Sequence, residues 1–318
     1  MEQTLTGTDF EFSGQTGVYH GKVRDVYSIG EKIVVVTTDR ISAFDVVSKQ
    51  GIPYKGQVLN QIASWQLEQT KDIVPNWADG VPDPNVTLGK KAKVFPIEVI
   101  VRGYLAGSAW RSYKAGSRNL CGNKLPEGMT ENQKFESPLI TPTTKAEQGH
   151  DQDITPDEIV AQGLITKEEW AQISEYALKL FARGSEIAAK QNLILVDTKY
   201  EFGKLPDEQI ILLDELHTPD SSRFFYADSY DEKFAVGEPQ HQLSKEFIRE
   251  WLASQGYKGE TPDWPVMPDD IIKEVSDRYI ELYEKITGNI FVRPVLKEDI
   301  AERIKRNISS VLEQQGVN

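Results

Sequence analysis

The order of local patterns along the chain constrains its fold more than any other feature of the sequence. Strand-like runs fill the first third, including Lys22–Tyr27 and the β-branched run Ile33–Thr38. Beyond residue 105 helical patterns dominate, and capping-box sequences begin at Thr155 and Thr166. Strands first, then a hairpin with several helices, predict an α+β protein with two lobes. We expect a β-rich lobe of residues 1–97 and a mixed α+β lobe of residues 98–318.

Individual elements follow from the same patterns. A helix is expected over Gln57–Gln69, where apolar residues fall near one face, and a strand over Val94–Tyr104. Residues 72–90 contain three prolines and are expected to form a loop or an edge hairpin. The rest of the chain predicts a hairpin and then three helices, namely Leu193–Phe202 with Ile210–Asp214, and Ser244–Gln255, Pro268–Thr287 and Lys297–Gln314.

The charge balance narrows the classes of ligand. The 318 residues include 36 Lys and Arg against 49 Asp and Glu, which gives a net charge of −13. Nucleic acids and anionic membranes bind basic surfaces, so neither is expected as a partner. An anionic small molecule would have to be held by a few well-placed cations.

Cysteine content and the N-terminal residues bear on the compartment. The single cysteine, Cys121, excludes a disulfide framework and a cysteine-based zinc site. The first ten residues lack the basic and apolar regions of a signal peptide. No apolar run approaches the roughly 18 residues needed to span a bilayer. We therefore expect a cytoplasmic protein.

The segment Gly21–Tyr27 is the first candidate binding site. A glycine turn between two strands lets backbone N–H groups approach a phosphate, and Lys22 and Arg24 add positive charge. The segment is neither a Walker A loop nor the glycine-rich loop of kinases. Taken alone, a solvated hairpin turn is the better interpretation.

A second candidate anion site follows a strand. Arg102 lies in the apolar run from Glu98 to Leu105, and Ser108 is placed to cap a short helix at Ala109–Tyr113. The free N–H groups of a helix start suit a phosphate, and a guanidinium can bind the same anion through two hydrogen bonds. A surface ion pair for Arg102 and a purely structural cap at Ser108 are equally open interpretations.

The predicted hairpin carries charged residues near its strand ends. Asp197, Lys199 and Glu201 alternate onto one face, and Asp214 ends the returning strand, so Glu201 and Asp214 could converge. Two carboxylates beside a lysine are typical of Mg²⁺ bound to nucleotide phosphates, although a ladder of structural ion pairs needs the same residue types. The turn-rich loop that follows ends at Arg223, a second candidate anion ligand.

Six segments taken together resemble the SAICAR synthetase (phosphoribosylaminoimidazole-succinocarboxamide synthase) family. They are GKVRDVY at 21–27, DRISAFD at 39–45, PIEVIVRGYLAGSAW at 96–110, TPTTKAEQGHD at 141–151, LILVDTKYEFG at 193–203 and LLDELHTPDSSRFF at 212–225. Their order along most of the chain makes a chance match very improbable. The length and the 141–151 segment resemble the longer, yeast-like branch of the family.

The resemblance implies a reaction and a fold. ATP, L-aspartate and the carboxylate of carboxyaminoimidazole ribonucleotide (CAIR) would give SAICAR, ADP and phosphate in de novo purine synthesis. A lobe similar to the small lobe of kinases would join an ATP-grasp-like lobe, with ATP in the cleft between them. Phosphoryl transfer would convert the carboxylate of CAIR to an acyl phosphate, a step that needs positioning and charge neutralisation rather than a protein nucleophile. The longer form also implies a monomer.

For the nucleotide, the resemblance implies binding residues one by one. The loop that covers the ATP phosphates would consist of Gly21, Lys22, Val23 and Arg24. Glu98 would begin the segment that recognises adenine, and Lys199 would lie beside the phosphates. Glu201 and Asp214 would hold Mg²⁺.

For CAIR, the resemblance implies an anion site and a reacting site. The substrate-binding residues would be Arg102, Ser108 and Arg223 around the ribonucleotide phosphate, Asp220 in the loop before Arg223, and Ser42 and Asp45, whose role within the signature is open.

The reacting carboxylate and imidazole would lie near Lys145 and Asp151. The proton of the attacking amine would pass to a base, for which Asp151 and Asp197 are the candidates. Glu147 and His150 belong to the same segment without an assigned role.

Two other functions stay open at this point. A small-molecule kinase of the same architecture would share the phosphate loop and the metal pair but form ADP without aspartate. A non-catalytic nucleotide-binding module would lack one of the metal carboxylates or the second arginine.

Overall fold

Two antiparallel sheets form the frame of the protein, in a computed structural model that describes residues 3–145, 151–294 and 298–316. The first part of the chain forms strands β1 (Gln15–His20), β2 (Arg24–Ile29) and β3 (Lys32–Thr37), the short hairpin β4 (Ser42–Ala43) and β5 (Val46–Val47), helix α1 (Lys55–Gln69), and strands β6 (Ala78–Asp83) and β7 (Val86–Lys90). Five of these strands pair in the order β1–β2–β3–β7–β6. Residues 78–90 thus form an edge hairpin of this sheet, which was one of the two alternatives expected for residues 72–90.

In the described residues, the second part of the chain combines nine strands with seven helices. Its elements are β8 (Lys93–Val94), β9 (Ile97–Tyr104), α2 (Gly107–Lys114), β10 (Asn119–Leu120), β11 (Asn123–Lys124), β12 (Lys134–Thr144), α3 (Pro156–Ala161), α4 (Lys167–Lys190), β13 (Leu193–Lys204), β14 (Ile210–Leu213), β15 (Ser222–Tyr226), α5 (Ala227–Val236), β16 (Gln242–Leu243), α6 (Glu246–Ser254), α7 (Asp269–Thr287) and α8 (Ile300–Gln314). Among the described residues, no helix is both long and apolar enough to cross a membrane.

Strand β13 organises the second sheet. Its first half pairs with β9 on one side and β15 on the other, within the order β12–β9–β13–β15–β16. Its second half, from Glu201 onward, pairs instead with β14 and β8. The twelve residues of β13 therefore connect the main sheet to a smaller group of strands, and the change of partners falls at Lys199–Glu201.

Local sequence signals account for most of the boundaries. Both capping boxes form, and at α4 the Thr166 side chain accepts from Glu169 N–H at 3.1 Å while Glu169 accepts from Thr166 N–H. Gly288 ends α7 in the left-handed region, as glycine after a helix commonly does. The strand predicted over Val94–Tyr104 is two strands instead, because the chain breaks pairing at Pro96, which has no N–H to donate.

Helix α8 packs on the first sheet although it comes from the end of the chain. Its buried face has Ile300, Ile304, Ile308 and Leu312, spaced four residues apart, against the apolar side chains of β2, β3 and β7. Arg303 adds a buried ion pair to Asp83 at 2.9 Å. The division of the chain at residue 97 stays a prediction, and the last helix packs with the strands that precede that division.

Candidate active site

The charged residues of the second sheet surround a cavity of about 260 Å³. Strands β9, β13 and β15, the loop before β15, and the start of α6 form its wall. Six cations line it, namely Arg102, Arg111, Lys199, Arg223, Lys245 and Arg249, with three carboxylates, Asp197, Asp220 and Glu246. A cavity with this excess of positive charge in a chain of net charge −13 is suited to a small anion.

Strand register places the two predicted arginines side by side. Asp197 on β13 is the cross-strand partner of Arg102 on β9 and of Arg223 on β15. Arg223 Nη1 lies 2.5 Å from Asp197 Oδ2, and Arg102 Nη1 lies 3.7 Å from the same oxygen. One carboxylate therefore offsets the repulsion between two buried guanidinium groups that face one cavity.

Arg102 is further fixed by two hydroxyl groups. Its Nε donates to Thr141 Oγ1 at 2.9 Å, and its Nη2 donates to Ser108 Oγ at 3.2 Å. Ser108 is not the helix cap that the sequence suggested, because α2 begins two residues earlier than expected, at Gly107, and Ala106 takes the cap position. The Ser108 hydroxyl is thereby free to contact the guanidinium.

Gly107 allows Arg223 to approach the start of α2. Its φ is +58°, and a Cβ there would lie 2.7 Å from both terminal nitrogens of Arg223. A side chain at this position would be strained and would displace the guanidinium. Glycine at position 107 is therefore needed for the close approach of Arg223.

A second charged cluster lies where β13 changes partners. Lys199 Nζ donates to Glu98 Oε1 and to Glu201 Oε1, each at 2.6 Å, and Lys145 forms an ion pair with Glu201. Burial alone would lower the pKa of Lys199, but the attraction of Glu201 and Glu98 outweighs it and raises that pKa. Lys199 on β13 and Lys145, which follows β12, thus both pair with the carboxylate of Glu201.

Arg24, from the first lobe, contacts two further carboxylates beside this cluster. Its guanidinium lies 3.4 Å from Asp214 Oδ1 and 2.6 Å from Glu215 Oε2. Burial raises the pKa of Asp214, the Arg24 charge opposes that rise, and the carboxylates of Glu201 and Glu215 add to it. Glu201 is the cross-strand partner of Leu213, the residue before Asp214, so the strand register brings together the two segments that carry these carboxylates. Their joint binding of Mg²⁺ stays a prediction.

The loop that carries Arg24 is a tight hairpin turn. Gly21 N–H donates to Arg24 C=O at 2.7 Å, and the buried Val23 accepts from Thr38 N–H at 2.9 Å through its carbonyl. Lys22 is half-exposed and pairs with Asp45. The turn is thus a hairpin tip, as the simpler interpretation expected. Through Arg24 it also contacts the acidic cluster, which consists of Glu98, Glu201, Asp214 and Glu215.

The remaining predicted residues are less closely engaged. Ser42 is buried in β4, and Asp151 is exposed just after the end of β12. Glu147 and His150 lie outside the described residues.

The chemistry of the acidic pair fits Mg²⁺. In the described part of the chain, no cluster of three or more His, Cys, Asp and Glu side chains is arranged to hold a metal. Two carboxylates, Glu201 and Asp214, are nevertheless a common protein contribution to a Mg²⁺ site that phosphate oxygens and water complete.

Sequence reasoning missed several residues of the cavity wall. Lys245 and Arg249 stand four residues apart at the start of α6, a spacing that puts both on one helix face and could have indicated a paired cation site. Lys55 is buried beneath the cavity, and no local pattern signals it.

Comparisons with known proteins show the family of the chain. Residues 17–263 match the family model described as SAICAR synthetase. Phosphoribosylaminoimidazole-succinocarboxamide synthase of Bacteroides thetaiotaomicron is 60% identical over 316 residues, with 98% of this chain and 99% of that protein covered. SAICAR synthase from Saccharomyces cerevisiae, solved in complex with SAICAR, gives a TM-score of 0.79 at 33% identity and covers 91% of this chain and 100% of its own. A type-2 SAICAR synthetase solved with ADP gives a TM-score of 0.68 at 26% identity and covers 87% of this chain and 100% of its own.

Proposed function

We propose that this chain, which belongs to the SAICAR synthetase family, uses the cavity of the second sheet and the adjoining acidic cluster for the reaction of that family. The enzyme is an ATP-dependent ligase of purine biosynthesis that joins L-aspartate to the carboxylate of CAIR, giving SAICAR, ADP and phosphate. The observation that carries the assignment of the site is the convergence of Arg102 and Arg223 on one carboxylate beside the Lys199 cluster.

The arginine side of the cavity is assigned to the ribonucleotide. A phosphate there would accept hydrogen bonds from Arg102, Arg223 and the Ser108 hydroxyl, which already contacts Arg102. Asp220 lines the same cavity, and Ser42 and Asp45 complete the proposed set on the first lobe. The excess of cations compensates for a negatively charged protein that binds three anionic substrates.

The acidic cluster is assigned to the nucleotide and Mg²⁺. The turn of Gly21, Lys22, Val23 and Arg24 would cover the ATP phosphates, since Arg24 already reaches Asp214. Glu98 would begin the adenine-binding segment, and Glu201 and Asp214 would hold Mg²⁺. The ion would neutralise phosphate charge, while Lys199 would exchange a carboxylate partner for a phosphate oxygen.

The residues present support phosphoryl activation rather than covalent catalysis by the protein. Lysines and arginines dominate the cavity wall, and they can position the CAIR carboxylate against the γ-phosphate and neutralise its charge. Lys145 forms an ion pair with Glu201 of the acidic cluster, and from this position it would orient the reacting carboxylate of CAIR. Asp151 and Asp197 remain the proposed acceptors of the amine proton.

Aspartate dependence tests the assignment against a small-molecule kinase. ADP formation is followed with CAIR and ATP, with and without L-aspartate. The proposal expects strictly aspartate-dependent turnover and formation of SAICAR, whereas equal ADP formation in both reactions would indicate a kinase. The monomeric state and the cytoplasmic location stay proposals, which ultracentrifugation and cell fractionation can test.

A further inference from the structure

Helix α1 places a lysine beneath the wall of the cavity. Lys55 is the first residue of α1, its side chain is fully buried, and its Nζ donates to Asp220 Oδ2 at 2.9 Å. A buried ammonium group is costly unless it is paired, so this contact is a strong constraint on both residues. It joins the helix beside the first sheet to the loop that leads to Arg223.

Asp220 is satisfied on both oxygens by buried partners. Oδ2 accepts from Lys55, and Oδ1 accepts from the Tyr279 hydroxyl of α7 at 2.5 Å. Lys55 Nζ also lies 5.3 Å from the centre of the Tyr279 ring. Within the described residues, Asp220 is thus held from α1 and from α7 together.

Lys245 stands next to this pair but does not hydrogen-bond to it. Its Nζ lies 3.9 Å from Asp220 Oδ2, beyond hydrogen-bond distance, and its side chain lines the cavity with Arg102 and Arg223. Lys55 and Lys245 thus both lie near one carboxylate oxygen, and the shorter contact belongs to Lys55. Because Lys55 neutralises the Asp220 charge, Lys245 keeps only a longer ion pair with it and its ammonium faces the cavity.

We propose that Lys55 is a positioning residue for ribonucleotide binding, whose ion pair with Asp220 keeps Lys245 available to the anionic substrate. The inference rests on the proposed function, because it assigns the cavity to CAIR. Without Lys55, Asp220 would be a buried carboxylate short of a cation, and a shift of about 1 Å would bring Lys245 within hydrogen-bond distance of it. The cavity would then lose one of its six cations to the protein itself.

The first test compares Michaelis constants. Lys55→Gln is expected to raise KM for CAIR about tenfold, which corresponds to about 1.4 kcal/mol. KM for ATP should change less than about twofold, because Lys55 contacts no residue of the acidic cluster. Arg303→Gln is the matched control, since it breaks a buried ion pair of similar geometry in the first lobe and should lower stability without changing either KM.

The second test asks whether Lys55 acts through Lys245. If it does, Lys55→Gln should add little to the rise in KM for CAIR already caused by Lys245→Met, so the double variant should match Lys245→Met alone. Multiplicative effects of the two substitutions would overturn the proposal, because they would mean that Lys55 acts independently of Lys245.

Two further outcomes are decisive. If Lys55→Gln does not fold, Tyr279→Phe replaces it: loss of the other donor to Asp220 should raise KM for CAIR about threefold, and an unchanged KM would refute the inference. If the wild-type protein forms no ADP in an aspartate-dependent reaction, the proposed function is wrong and this inference is wrong with it. Active wild-type protein with an unchanged KM for CAIR in Lys55→Gln overturns the inference alone.

Discussion

Replacement of Arg223 is the most direct probe of the proposed CAIR site. In the structure its two terminal nitrogens donate to Asp197 at 2.5 Å and to Glu246 at 3.0 Å, and its side chain is 13% exposed. Neither carboxylate would be left without a cation in Arg223→Ala. Arg102 remains 3.7 Å from Asp197, and Arg249 remains 3.1 Å from Glu246. We therefore expect the variant to fold.

The expected loss follows from the contact that Arg223 would make with a phosphate. A charge-assisted hydrogen bond contributes about 1.5–3 kcal/mol, which corresponds to roughly a ten- to hundredfold rise in KM for CAIR. KM for ATP should change less than about twofold, because the Arg24 turn and Glu98 lie in the other cluster. Arg223→Lys keeps the charge but loses the planar fork, so its KM for CAIR should be intermediate.

The assay measures ADP release at varied CAIR with saturating ATP and L-aspartate, and then at varied ATP with saturating CAIR. Thermal unfolding of each variant checks that the fold is intact. Equal rises in KM for CAIR and KM for ATP in Arg223→Ala would show that Arg223 does not bind the ribonucleotide. The same conclusion would follow if Arg223→Lys raised both constants as much as Arg223→Ala does.

Three other predictions test the metal pair, a buried carboxyl group and the C-terminal helix. Asp214→Asn should abolish Mg²⁺-dependent ADP formation with little change in the melting temperature, and near-normal turnover would remove Asp214 from the metal site. Burial raises the pKa of Asp39 to about 6, so the folded state holds a proton that the unfolded chain releases near pH 3.8, and stability should fall as pH rises between these values by up to about 3 kcal/mol. Denaturant unfolding from pH 4 to pH 7 should show this fall in the wild type and not in Asp39→Asn; parallel curves would contradict it. Ile304→Ala should cost about 2–5 kcal/mol of unfolding free energy, measured in urea, and leave both Michaelis constants unchanged; a selective change in either would mean that α8 acts on the site.

The sequence predicted those parts of the fold that rest on short-range signals. The capping boxes at Thr155 and Thr166, the helix end at Thr287 and the β13–β14 hairpin depend on residues within a few positions of one another. The cap role predicted for Ser108 was wrong because a helix start is uncertain by one or two residues. The helix starts two residues early, and the Ser108 hydroxyl accepts a hydrogen bond from Arg102 instead.

The prediction of the site depended on the alternation of side chains between the two faces of a strand, and the structure shows this alternation along β13. Asp197, Lys199 and Glu201 do share one face of β13, and this alternation explains why they meet residues of two other segments. Lys55 escaped prediction because its partner Asp220 is far along the chain, and long-range pairing has no local signature. The same reason applies to α8, whose amphipathic pattern predicts a helix but not the sheet that it covers.

The position of α8 has a consequence for synthesis of the protein on the ribosome. Ile304 and Ile308 complete the apolar layer over β2 and β3, yet they are translated about 270 residues after the end of β3. The nascent N-terminal sheet must therefore expose one apolar face while nearly the whole polypeptide is being made. Truncation shortly before α8 would leave that face uncovered, so nascent chains stalled there should be bound by chaperones until translation ends.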